Sequence, residues 1–192
     1  MEILGGTAKG MSLKVPEGRE VRPTSVRSRR ALFDMLGDLT GRRFCDLFAG
    51  SGAVGIEAAS RGASHVLLVE KAPGALAAVR SNVGHAQKLC PDTLFQTIAG
   101  PLPECLRKVT GSAPVPDLIF ADPPYAESAV LLDGILRHED FAGWAANAVL
   151  IWELPDYRSQ LKVFPENWSL KAVRELGASR FLIIESGKKK EK

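Results

Sequence analysis

At 192 residues, 45% hydrophobic and 24% charged, the sequence has the size and balance of one soluble domain that can bury its own core. Its three cysteines, Cys45, Cys90 and Cys105, form no Cys-x-x-Cys pair, and His65, His85 and His138 stand at no metal-ligand spacing; a disulfide framework and a zinc site are both disfavoured. No apolar run approaches the ~18 residues that span a bilayer, and the N-terminus carries no signal-peptide stretch. A cytoplasmic monomer that touches no membrane is expected.

The net charge of +3 is unevenly placed. Arg19, Arg22, Arg27, Arg29, Arg30, Arg42 and Arg43 face only Glu20, Asp34 and Asp38 over the same stretch, and Lys188, Lys189, Lys190 and Lys192 close the chain. A basic N-terminal segment on a near-neutral body is the footprint of a surface that meets phosphates. The terminal lysines read as a solvated tail. The expected organisation is therefore an N-terminal extension over 1–40, a main domain over 41–187 and a lysine-rich tail over 188–192.

In chain order, residues 2–15 alternate loosely around a break at Lys9-Gly10 and predict a short β-hairpin ended by Pro16 and Gly18. Thr24 or Ser25 can cap a helix to about Leu36, with Leu32, Phe33 and Leu36 at helical spacing. Strand and helix then alternate. Strands are expected over 44–48, 65–70, 93–98, 117–122 and 148–153, and helices over 53–60, 75–83 and 130–136. Continuous apolar strands separated by helices imply a parallel sheet covered on both faces. Residues 169–176 and 181–185, split by Gly177, predict a closing antiparallel hairpin.

Two strand ends carry chemistry. Asp46-Leu47-Phe48-Ala49-Gly50-Ser51-Gly52 lies where the first strand hands over to a helix. Glycines there permit a tight turn and a close ligand approach, and the helix start offers free N–H groups. The spacing is not Gly-x-Gly-x-x-Gly, which disfavours a dinucleotide. Glu70, 18 positions after Gly52, ends the second strand, where a carboxylate can accept from both ribose hydroxyls.

The second motif is Asp122-Pro123-Pro124-Tyr125, directly after the fourth predicted strand and so at the same carboxyl edge. Two prolines fix φ and hold the loop extended. The Asp122 carboxylate and the Pro123 carbonyl can each accept a hydrogen bond from an amino group held between them, and Tyr125 offers a face on which a planar base stacks.

With both motifs in place, the chain resembles the class I methyltransferases, and within them the RsmD family of 16S ribosomal RNA guanine-N2 methyltransferases. The resemblance runs through Gly5-Gly6, Lys9-Gly10, Arg22-Pro23-Thr24-Ser25, Ala31-Leu32-Phe33, the glycine turn, Gly55-Ile56-Glu57-Ala58, Ser60-Arg61-Gly62-Ala63, Asp122-Pro123-Pro124-Tyr125 and Asn167-Trp168-Ser169-Leu170. It implies a Rossmann-like α/β fold, a seven-stranded mostly parallel sheet with helices on both faces and a closing antiparallel hairpin. It also implies S-adenosyl-L-methionine as cofactor and ribosomal RNA or the small ribosomal subunit as partner. Asp46, Phe48, Ala49, Gly50, Ser51 and Gly52 would line the methionine side, with Glu70 and the adjoining Lys71 at the ribose. Asp122, Pro123, Pro124 and Tyr125 would receive the guanine amine. Lys9, Arg22, Thr24, Arg27 and Arg29 would face RNA or help close the cofactor site.

The chain departs from that family's pattern at Val26 and Arg30, where Asp and Glu are usual. It departs again at Gln96-Thr97-Ile98-Ala99-Gly100, which lacks an Asp beside the adenine; a backbone N–H could take that place. The alternative activity is adenine-N6 methylation of DNA or RNA, although a DNA enzyme usually carries a separate recognition segment for which this chain has no room. A nicotinamide-dependent oxidoreductase would need the longer glycine fingerprint and a Tyr-Lys proton donor, and neither is visible. A non-catalytic RNA-binding protein would not need the intact loop at Asp122.

Overall fold

Two alternating sets of apolar side chains along each central strand explain the architecture. The computed structural model describes residues 1–16, 26–154, 164–176 and 179–186. After helix α1 (Val26–Leu36), strand β1 (Arg43–Asp46) leads to α2 (Ala53–Ser60), β2 (His65–Glu70), α3 (Pro73–Leu89) and β3 (Leu94–Ala99). Next come α4 (Leu106–Ser112), β4 (Leu118–Ala121), a 3-10 turn over Tyr125–Glu127, α5 (Ser128–Leu136) and α6 (Glu139–Trp144). Strands β5 (Val149–Leu154), β6 (Trp168–Leu176) and β7 (Ser179–Ser186) complete the sheet.

Among the described residues the sheet has seven strands in the order β3-β2-β1-β4-β5-β7-β6. Neighbours from β3 to β5 pair parallel, while β7 runs antiparallel to β5 and β6 antiparallel to β7. The expected Rossmann-like sheet with its closing hairpin is borne out.

Cys45, Leu67, Val69, Ile119, Ala121, Leu150 and Trp152 point to one face and pack with α4, α5 and α6. Phe44, Val66, Leu68, Phe120 and Ile151 point to the other and pack with α1, α2 and α3. Successive strand residues face opposite ways, so a sheet covered on both sides needs apolar residues at nearly every position. Ile3, Ala8 and Leu13 belong to the second cluster, so the N-terminal segment shares the core of the sheet.

Residues 2–15 fold back on themselves as expected, with a minimal ladder: an antiparallel bridge joins Glu2 and Ser12, Ile3 N donates to Met11 O at 3.0 Å and Leu13 N to Met1 O at 2.8 Å. Other amides of the segment bond α2. Leu4 N donates to Glu57 Oε2 at 2.7 Å, Thr7 N to Ser60 O at 2.8 Å and Ala8 N to Ser60 Oγ at 2.8 Å. Helix α3 extends past Gly84 to Leu89, since Ala86 is fully buried and rewards continuation. The short helices α4 and α6 and the 3-10 turn were not expected. Strands β6 and β7 pair along their whole length, with one irregularity between Leu170 and Ala172. Thr24, Ser25 and Gly177, expected as helix caps and hairpin turn, lie outside the described residues. No described helix is long and apolar enough to cross a membrane.

Candidate active site

The carboxyl ends of β1, β2, β4 and β5 open into one cleft of about 800 Å³. Asp46, Phe48, Ala49, Gly50, Ser51, Glu70 and Lys71 line it, together with Asp122, Pro123, Pro124 and Tyr125. The two motifs thus meet at a single site. A sheet whose strand order reverses between β1 and β4 leaves a crevice at that edge, where ligands of open α/β sheets bind.

The glycine turn is held from three sides. Gly50 and Gly52 adopt φ of 57° and 81°, left-handed values open to glycine at little cost. Gly50 N donates to Glu70 Oε2 at 2.9 Å, and Ala72 N donates to Glu70 Oε1 at 2.7 Å. Each oxygen of Glu70 keeps a second lone pair. Asn82, fully buried on α3, donates from Nδ2 to Ser51 O at 2.8 Å and to Lys14 O at 2.9 Å, and accepts from Lys14 N at 2.9 Å. Asn82 therefore ties the turn to the N-terminal segment. Sequence patterning carries no signal for it, since a polar residue on a helix is normally solvated. Gly52 caps α2 and does not itself line the cleft.

Asp46 is buried at the end of β1, where Phe48 N and Gly55 N approach Oδ1 and Oδ2 at 3.4 and 3.3 Å. Burial pushes its carboxyl up to about 7, with smaller upward contributions from Asp122 and Glu70 and an opposing one from the two amides. Glu153, at the tip of β5, is also buried and lines the cleft. Burial first, and then the Asp122 charge, raise it to about 7 against a hydrogen bond from Ser179.

The loop after β4 is braced from behind. Pro123 is buried and Tyr125 is 40% exposed. Trp152 Nε1 donates to Ser128 Oγ at 2.9 Å, anchoring the start of α5, and the same indole packs edge-on against Phe48 with ring centroids 5.9 Å apart. Lys71 Nζ meets Glu127 Oε2 at 3.4 Å, linking the tip of β2 to the 3-10 turn. Both partners are largely exposed, so the pair adds little stability.

The basic residues divide. Arg29 does not face solvent: it is 1% exposed, donates from Nη2 to Glu2 O, lies 3.9 Å from Glu57 and lines the cleft. Of the two places expected for Arg29, facing RNA or closing the cofactor site, its burial and cleft lining match the second. Arg27 is exposed and does not line the cleft. Lys9 is exposed beside the last residue of α2, about 12 Å along that helix from the glycine turn. Arg22 and Thr24 lie outside the described residues.

The residues present suit S-adenosyl-L-methionine. Asp46 and Glu70 put carboxylates on the glycine-turn side of the cleft, which suits a cation, and Val69 and Leu102 add apolar lining. Gly100 also lines this end, but its N–H already bonds Glu70 O at 3.1 Å and is not the donor that could replace the missing Asp. When bound, this group supplies an electrophilic methyl on a sulfonium. Fold and cleft together define a class I S-adenosylmethionine-dependent methyltransferase.

Comparison with known proteins narrows the class. A family model described as conserved hypothetical protein 95 matches residues 1–185. YlbH of Bacillus subtilis is 36% identical over 129 residues, 66% of this chain and 68% of that one. Ribosomal RNA small subunit methyltransferase D of Escherichia coli is 29% identical over 191 residues, 96% of this chain and 89% of that one. The solved structure of a hypothetical protein of Thermus thermophilus superposes with a TM-score of 0.73 at 32% identity, covering 96% of this chain and 99% of that one. The chain belongs to this family, the RsmD-type methyltransferases.

Proposed function

We propose that the protein transfers a methyl group to the exocyclic N2 amine of a guanine in 16S ribosomal RNA. The observation that carries this reading is the shared cleft, in which Asp122 and Pro123 stand beside the glycine turn and Glu70. The name of the Escherichia coli relative supports small-subunit ribosomal RNA as the substrate class.

An exocyclic amine is a weak nucleophile because its lone pair is delocalised into the ring. The Asp122 carboxylate and the Pro123 carbonyl accept its two hydrogens and favour a pyramidal nitrogen whose lone pair faces the glycine turn. Catalysis then rests on positioning and electrostatics. The proton leaves only after methylation has made it acidic, and Asp122 is placed to take it. Tyr125, exposed at the rim, stacks on the base. Guanine N2 cannot reach this depth while stacked in a helix, so the enzyme takes a loop base or flips one out. Exposed Arg27 and Lys9, together with Arg22 and Thr24, contact the flanking RNA.

The test supplies labelled methyl donor to small-subunit RNA from a strain lacking the protein, followed by nucleoside analysis. N2-methylguanosine is expected. Label in N6-methyladenosine would move the protein to the alternative activity. Asp122→Ala should lower transfer by about 1000-fold while cofactor affinity stays within about threefold. Full transfer by that variant would break the mechanism.

A further inference from the structure

Glu153 lines the cleft but takes no part in the methyl transfer described above. It is 3% exposed, and its Oε2 has no hydrogen-bond partner among the described residues. A buried acceptor left unpaired costs free energy that folding must offset elsewhere. Such a group in a binding cleft points to a donor that arrives with the ligand.

Its position says which donor. Strands β4 and β5 pair in parallel register through Ala121 and Trp152. Asp122 and Glu153 are each one residue beyond that pair, at the same rim and about 5 Å apart in strand spacing. The Asp122 charge is felt by Glu153, and both residues line the cleft. A base held by its amine at Asp122 and Pro123 brings a flanking ring atom within reach of Glu153. In guanine the amine is flanked by N3, which has a lone pair, and by N1, which carries a hydrogen, and only N1–H can donate. In adenine the nitrogen beside the amine has only a lone pair.

Resting on the guanine reading, we propose that Glu153 is a base-selecting residue, its Oε2 accepting the guanine N1–H and repelling a ring nitrogen that carries a lone pair. Ser179, which also lines the cleft, holds the same carboxyl through its side chain and fixes its aim. A donor at Oε2 would also keep the group ionised near neutral pH, where burial otherwise favours its protonated form. A site built to bond a substrate N–H rejects an analogue without it far more strongly than an apolar pocket could.

Replacing the target guanine with 2-aminopurine tests this, because 2-aminopurine keeps the N2 amine but has no N1–H. Once the methylated position is mapped, kcat/KM is measured on RNA carrying each base. The wild-type protein should prefer guanine by about 100-fold or more. Glu153→Gln can donate from its amide as well as accept, so the preference should fall below about tenfold. A wild-type preference under tenfold overturns the proposal whether or not the variant folds. An equal loss on both bases, with the ratio retained, assigns Glu153 a structural role and also overturns it. Wild-type label on adenine would instead sink the guanine reading itself, whereas label on guanine with an unmoved ratio sinks only the role of Glu153.

Discussion

Gly6 shows how tightly single positions bind the N-terminal segment to the catalytic sheet. A Cβ there would lie 1.7 Å from Ser60 O, at a φ of +74°. The clash is with backbone, so neither partner can step aside. Gly6→Ala should destabilise the fold by about 3 kcal/mol or more, read as a lowered denaturation midpoint. Wild-type stability in that variant would show that the segment is not docked on α2. Asp46 and Glu153 are the other sensitive positions. Both are pushed up to about 7, above their ordinary carboxylate range. Groups raised on folding contribute stability that is complete below the unfolded value and lost as pH climbs through about 7. The ligand-free protein should therefore melt lower at pH 8 than at pH 6. A cation in the cleft favours the ionised carboxylates, so affinity for S-adenosylmethionine should rise by about threefold to tenfold over the same interval. Calorimetry across that range checks both signs, and an affinity that falls with pH would contradict the assignment of Asp46 to the cofactor's charge.

At the scale of elements, α1 carries two arginines with opposite fates. Arg27 is exposed, while Arg29 is buried against Glu2 and Glu57. On the proposed function, Arg27→Ala should weaken RNA binding and reduce its salt slope by about one without changing stability. Arg29→Ala should cost about 3 kcal/mol and leave the salt slope as it was. A flattened salt dependence in a fully stable Arg29→Ala protein would reverse these roles. The sequence could not separate the two, because helical spacing places a residue on a face but does not say what covers it. Patterning worked best where burial is continuous: the runs at 65–70 and 148–153 could hardly be anything but inner strands. It failed at α4 and α6, each under two turns long, where periodicity has no room to show. Phe141 and Trp144 hold α6 by packing against the sheet's helices, a tertiary effect that local propensity does not contain. The hairpin over 2–15 has a shorter ladder than its alternation suggests, since amides between its two arms bond α2.

Over the whole molecule, the site was more legible than its supports. Glycines after one strand and Asp-Pro-Pro after another can be read directly, because each motif needs unusual backbone. Glu153 ends its strand as Glu70 does, yet nothing local distinguishes a cleft carboxylate from a solvated one. Only the pairing of β5 beside β4 brings it to Asp122. The central claim is that the glycine turn and the loop after β4 serve one cleft, so a bisubstrate molecule is the most direct probe. In it, an adenosylmethionine analogue is joined through one carbon to the N2 of guanosine. It should bind at least 100-fold tighter than either half alone, and both Glu70→Ala and Asp122→Ala should erase that gain. A joined molecule that binds no better than its adenosyl half would contradict the account.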